Sequence, residues 1–349
     1  MSAGTPQLKL NAAMSLPAAR VPPSAWIGHI PFAFWLVEEA KPRMLVELGS
    51  HHGASYLGFC QAVRHCALDT RCFAVDMWTG DEHSGFYGDE VFKTLWQYNQ
   101  EQYGGFSALM RMKFDEALEY FAEGSIDVLH IDGLHTYEAV RQDFETWLPK
   151  MSSRGVVLFH DTMVRERNFG VWKLWGELVQ QYPGFEFQHT HGLGVLLVGP
   201  DQPQSLLDLA ALRGSESEAT VLRLFDALGS RIYADRRIAE AEARADGALE
   251  QARQQLAQIG TVEASQNDME LAAARAQIAQ LSGELDTVRA RIAAAPQSTA
   301  ADVVALQTAL DECQAQMRAQ DERFRQIMGS RSWKLTAPVR WLSAAFKGK

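Results

Sequence analysis

A chain of 349 residues offers roughly two domains' worth of sequence at about 150 residues each, so it is not one small module. It carries 33 basic and 43 acidic residues, a net charge of −10, which excludes a protein that coats nucleic acid through its overall field. Its four cysteines (Cys60, Cys66, Cys72 and Cys313) form no CxxC pair, as expected of reduced thiols in a cytoplasmic protein.

Residues 1–25 are rich in Ala, Pro and Ser and lack a basic start followed by an apolar core, so a disordered arm is expected rather than a signal peptide. From there to about residue 200 strand and helix signals alternate. The runs Met44–Glu47, Cys72–Asp76, Ile126–Asp132 and Val156–Asp161 are short and apolar, and each ends in a carboxylate. Helical patterns lie between them, as at Tyr137–Leu148 and Val171–Tyr182. Buried strands separated by helices predict an α/β fold with a doubly wound, Rossmann-like parallel sheet, whose ligands bind beyond the carboxyl ends of the strands. Phe185–His189 and Gly194–Val198 read as a closing hairpin.

Beyond residue 200 the material changes. The 90 residues from Ala234 to Arg323 hold 24 alanines and no aromatic side chain, so they can bury area only along a narrow helical seam. Apolar residues step by four and three through Ile238–Ile259, again through Leu271–Ile292, and in a third register through Val303–Ile327. This predicts a helical linker over 201–234 and a coiled coil over 235–329 that makes the chain a homo-oligomer; a lone amphipathic helix folded onto the globular part is the alternative. The last segment, 330–349, holds five Lys or Arg, no acid, and Trp333, Trp341 and Phe346. It is expected to be a basic amphipathic tail for an anionic membrane surface, which makes the protein peripheral at the inner face of the cell membrane, or for a protein partner.

Three groups of residues carry candidate chemistry. Glu47-Leu48-Gly49-Ser50 through Gly53-Ala54-Ser55 is a strand-to-helix turn without the GxGxxG pattern, and suits either a nucleotide-like ligand or a plain tight turn. Asp76 ends the next strand, where an acid can accept both ribose hydroxyls of NAD or S-adenosylmethionine; the missing pyrophosphate fingerprint favours the latter. Asp132 and His160-Asp161 end neighbouring strands, where they can hold a divalent cation or serve as caps and ion-pair partners. His135 stands three residues beyond Asp132, in reach of a hydroxyl proton. The loop Asp76–Gly88, with Met77 and Trp78 at its start, can close over the site or simply pack beneath the surface.

Taken with Trp26–Phe32, Val46–Gly49, Val75–Asp81, His130–Glu138 and Phe159–Thr162, the stretch 26–200 resembles class I S-adenosylmethionine-dependent methyltransferases of the bacterial sugar and polysaccharide O-methyltransferase type. The resemblance implies a seven-stranded methyltransferase sheet, with Glu47, Gly49, Ser50, Ser55, Asp76, Met77 and Trp78 on the cofactor. It further implies a divalent metal, Mg²⁺ in such relatives, at Asp132, Asp161 and His160, with His135 as general base. Relatives usually carry an acid where His160 stands. The implied acceptor is a sugar or polysaccharide hydroxyl. The stretch 330–338 is similar to tails of polysaccharide glycosyltransferases, which suggests such an enzyme as a partner. Two rivals remain open at this point: a coiled-coil scaffold or length gauge with a degenerate head, and an NAD-dependent oxidoreductase.

Overall fold

The computed structural model describes residues 8–83 and 85–259, with isolated positions between 276 and 290. In chain order the elements are α1 (Ile30–Ala40), β1 (Met44–Leu48), α2 (Ala54–His65), β2 (Arg71–Asp76), a small hairpin β3 (Gly80–Asp81) and β4 (Gly85–Phe86), and α3 (Asp89–Tyr103). There follow β5 (Ser107–Arg111), α4 (Phe114–Ala117), β6 (Ile126–Ile131), α5 (Tyr137–Trp147), β7 (Met151–His160) and α6 (Val171–Leu178). The last are β8 (Gly184–Phe187), β9 (Leu193–Leu197), α7 (Gln204–Ala211) and α8 (Glu218–Ile259).

Seven strands form one sheet in the order β5-β2-β1-β6-β7-β9-β8, parallel except for β9, which runs antiparallel to both neighbours. This is the expected doubly wound, Rossmann-like α/β sheet of seven strands. The apolar runs follow from its burial on both faces. Successive residues alternate between layers: Leu45, Val128 and Leu158 pack with α1 and α2, while Val46, Leu129 and Phe159 pack with Phe144 and Trp147 of α5. The order turns back between β1 and β6, so the crevice at their carboxyl ends is the place such sheets offer a ligand.

The segment expected as a disordered arm is ordered over residues 8–25. Trp35 Nε1 donates to the Lys9 carbonyl at 2.7 Å, Lys9 and Asn11 bind Glu39 at 2.9 and 3.1 Å, and Ala13 and Met14 are buried against α1. Small residues favour this close packing, and composition alone does not reveal it. Residues 1–7 lie outside the described residues.

The stretch 201–234, read as a linker, is helical and contributes Leu206, Leu209, Leu212, Val221, Phe225 and Ile232 to the core. One compact unit accordingly runs to Ala241, and a second begins at Glu242. Helix α8 spans the first heptad block, Ile238–Ile259. The other two blocks and the tail 330–349 fall outside the described residues, apart from the isolated helical positions. Among the described residues, no helix is long and apolar enough to cross a membrane.

Candidate active site

The β1–α2 turn is built around two acids. Gly49 has φ +85°, and a Cβ there would fall 2.1 Å from the Asp132 carbonyl, so only glycine lets this turn touch the end of β6. Beyond it, the Ser50 and His51 amides donate to Asp76 Oδ2 at 2.8 and 3.0 Å, and the Trp78 amide donates to Asp76 Oδ1 at 2.6 Å. Asp76 thus ties the first two strand-end loops together. Ser50 also donates through its hydroxyl to Glu47 Oε1 at 2.7 Å, so one residue bridges both acids.

Glu47 has no solvent contact, and its second oxygen accepts from His130 Nδ1 at 2.8 Å. Trp26 Nε1 donates to His130 Nε2 at 3.0 Å. An indole N–H can only donate, so Nε2 is the accepting nitrogen and Nδ1 carries the hydrogen given to Glu47. The result is a buried chain Trp26–His130–Glu47–Ser50 running from the segment before α1 to the turn. Ser55 is buried in the first turn of α2. Trp78 is buried as well: its Nε1 donates to the His51 carbonyl at 3.0 Å and its ring packs on Phe92, so it supports the loop from below. Met77 and Phe86 are exposed on that loop.

The second group forms a closed circuit of nitrogen and oxygen. His135 Nε2 lies 3.3 Å from Asp132 Oδ1 and 2.8 Å from Asp161 Oδ2, and His160 Nδ1 lies 3.1 and 3.6 Å from the same two oxygens. His191 Nδ1 contacts the other Asp161 oxygen at 2.8 Å. Burial alone pushes the His135 imidazole down, but its bonds to Asp132 and Asp161 outweigh this and raise its pKa to about 10. His160 is raised by the same two acids against its burial. Both carboxyls are held below the usual range: burial opposes ionisation, and the charge of His160 with the hydrogen bond from His135 overcomes it. Each acid and each imidazole of the cluster thus favours the charged form of its partners.

Asp161 adopts a left-handed φ of +64°, and His51, Trp78, Arg167, Asn168 and Thr190 share that region in the loops around the same rim. The others, Lys41 and Ala67, lie at helix ends, where such a conformation is ordinary. Strain is therefore concentrated where the candidate chemistry lies.

A divalent cation fits this donor set. The ligand atoms of Asp132, His135 and Asp161 lie within 4.8 Å of one another, and His160 offers a second imidazole to the same oxygens. His135 Nδ1 and His160 Nε2 are buried beside it with no hydrogen-bond partner among the described residues. His135, expected as a base beside the metal, thus stands among the possible ligands.

The structure brings together Asp132, His135, His160 and Asp161, and separately Glu47, Ser50 and Asp76; Gly49 joins the two groups, while Met77 points outward. Sequence reasoning missed His130, His191, His83 and Phe169. The last two roof the site: Phe169 stacks on His135 at 4.6 Å and on His83 at 4.4 Å, and Arg167 donates to the Glu82 and His83 carbonyls. The signal available was the concentration of histidines at or just beyond strand ends, with His29 before α1 and His65 at the end of α2 as the exceptions.

Residues 46–162 match a methyltransferase domain family. An uncharacterized protein of Sinorhizobium fredii is 51% identical over 201 residues, which is 58% of this chain. The chain spans only 22% of that relative's length. Among solved structures, the O-methyltransferase TomG of Streptomyces achromogenes, involved in tomaymycin synthesis and solved with SAM, is similar at 14% identity with a TM-score of 0.39. That match covers 55% of this chain and 92% of TomG. A methyltransferase of Podospora anserina bound to SAH is similar at 13% identity with a TM-score of 0.38, covering 51% of this chain and 89% of its own.

Proposed function

We propose that this protein is an O-methyltransferase that moves the methyl group of S-adenosylmethionine to a sugar hydroxyl, assisted by a divalent cation, in the biosynthesis of a cell-surface polysaccharide or its lipid-linked precursor. The observation that carries the reading is the junction at Gly49, where the turn of the matched methyltransferase domain abuts the Asp132, His135, His160 and Asp161 cluster. A cofactor turn and a proton-handling group side by side are what methyl transfer to a hydroxyl needs.

S-adenosylmethionine supplies an electrophilic methyl on a positively charged sulfur. Asp76 keeps acceptor capacity beyond its three amide bonds and suits the ribose hydroxyls. Glu47 has both oxygens committed to an imidazole N–H and a hydroxyl, so it acts on a ligand through its charge, which favours a cation over a neutral thioether. His135 holds a proton at Nε2 between two acids in the state described. A divalent cation on Asp132 and Asp161 would acidify an acceptor hydroxyl and, by answering both carboxylates, leave His135 free to accept that proton. With His135 kept as the base, the donors are the His160 imidazole and two carboxylates, a set that suits Mn²⁺, Fe²⁺, Co²⁺ or Zn²⁺ as well as the Mg²⁺ implied by the resemblance.

The test is transfer of labelled methyl from S-adenosylmethionine to saccharide acceptors, with Mn²⁺ and with chelator. Label on a sugar oxygen, lost in chelator, is the expected result. Label on nitrogen, carbon or a non-sugar acceptor would replace the acceptor class, and full turnover in chelator would remove the cation.

A further inference from the structure

The long helix α8 touches the candidate site through an unexpected route. Gly229 packs so closely on the backbone of Gly28 that a Cβ at 229 would sit 2.2 Å from the Gly28 carbonyl oxygen. One turn on, the Tyr233 hydroxyl donates to the carbonyls of Ser24 and Ala25 at 3.4 and 3.2 Å. The segment held in this way, Ser24–His29, carries Trp26, whose indole begins the buried chain to His130, Glu47 and Ser50. Its last residue, His29, donates to or accepts from Thr190 at 2.8 Å and packs edge-on against His160 at 5.9 Å.

We propose that Gly229 and Tyr233 of α8 are positioning residues for the β1–α2 turn, acting through Ser24–His29 and the Trp26–His130–Glu47–Ser50 chain. That this turn binds the cofactor rests on the function proposed above. The physical basis is the rigidity of each link. A helix backbone seated against another backbone has no side chain to absorb a shift, and a buried chain with every polar atom paired fixes the orientation of its last member. Displacing Ser24–His29 by a fraction of an ångström therefore loosens Trp26 from His130 and passes to Ser50, whose amide and hydroxyl bind the two acids of the turn. Val221, buried on the same helix, provides a comparison: it packs in the core and has no part in the chain.

The experiment uses the full chain with Gly229→Ala, Tyr233→Phe, Trp26→Phe, the double variant Gly229→Ala with Trp26→Phe, and Val221→Ala. Thermal unfolding and calorimetric affinity for S-adenosylmethionine are measured for each, and the ¹⁵N–¹H resonance of the Trp26 indole for the wild type and the variants that keep Trp26. Gly229→Ala and Trp26→Phe are each expected to weaken binding about five- to tenfold, and the double variant no more than the stronger single, because both act through one chain. Val221→Ala lowers thermal stability but leaves affinity within about twofold. Tyr233→Phe, which adds no atoms, moves the Trp26 indole resonance and answers the question if Gly229→Ala does not fold. Affinities unchanged in the folded α8 variants, or losses that add in the double, overturn the proposal. If the wild type does not bind S-adenosylmethionine, the cofactor reading fails and the indole resonance alone decides: moved by the α8 variants, the positioning stands; unmoved, it falls.

Discussion

Glu47 and His130 are register partners on adjacent parallel strands, and their side chains meet at 2.8 Å with no solvent contact on either. A buried carboxylate is stable only while its partners remain, so the pair must be read as a unit with Trp26 and Ser50.

His130→Ala leaves Glu47 with one donor and Trp26 with none, in a site closed to water. Loss of stability of about 3–5 kcal/mol is expected, against about 1–2 kcal/mol for Glu47→Gln, which keeps the shape and one acceptor. Urea unfolding of both variants checks this. Equal, small losses would mean that water replaces the missing partners.

At Gly49, alanine meets two penalties at once: a positive φ and the Asp132 carbonyl 2.1 Å from its Cβ. Gly49→Ala is expected to cost at least about 1–3 kcal/mol and to abolish ligand binding at the turn, because the backbone of both loops must move. A folded Gly49→Ala protein with wild-type affinity would separate the turn from the ligand.

Asp143 shows the opposite electrostatic case. Burial, with the nearby charge of Asp115, lifts its pKa to about 7 from an ordinary value of 3.8. The folded state therefore holds this proton more tightly than the unfolded chain, and stability falls as pH rises from about 4 to about 7. Asp143→Asn removes that loss. At pH 8 it should stabilise by on the order of 1–2 kcal/mol, after discounting for partial exposure, and at pH 4 by nothing measurable. Unfolding curves of equal offset at both pH values would contradict this.

For the rim, His135→Ala is expected to lower turnover about 10²–10⁴-fold with cofactor affinity retained, the range for a lost proton-transfer group. Asp161→Asn should resist rescue by added Mn²⁺, since a ligand charge has gone. Wild-type turnover in His135→Ala would leave the residue a structural role only.

Much of this was legible in the sequence because apolar runs ending in acids have few other uses. β6 and β7 were readable as strands, which alone places Asp132 and Asp161 side by side. The Trp26–His130 bond was not readable, because His130 stands within an apolar run and its partner lies 104 positions earlier. Nor was the packing of residues 8–25, whose small side chains carry no periodicity. The boundary of the globular unit did leave a trace: Phe225 and Tyr233 are the last aromatics before the aromatic-free stretch, and both are anchored on α1 or the segment before it.

The most direct test of the account is calorimetry of the full chain with S-adenosylmethionine and, separately, NAD, for the wild type and Asp76→Ala. The account predicts one molecule of S-adenosylmethionine per chain, no binding of NAD, and a loss of about 1.5–3 kcal/mol of binding free energy in Asp76→Ala. Binding of NAD in place of S-adenosylmethionine, or binding of neither by a folded protein, would contradict it.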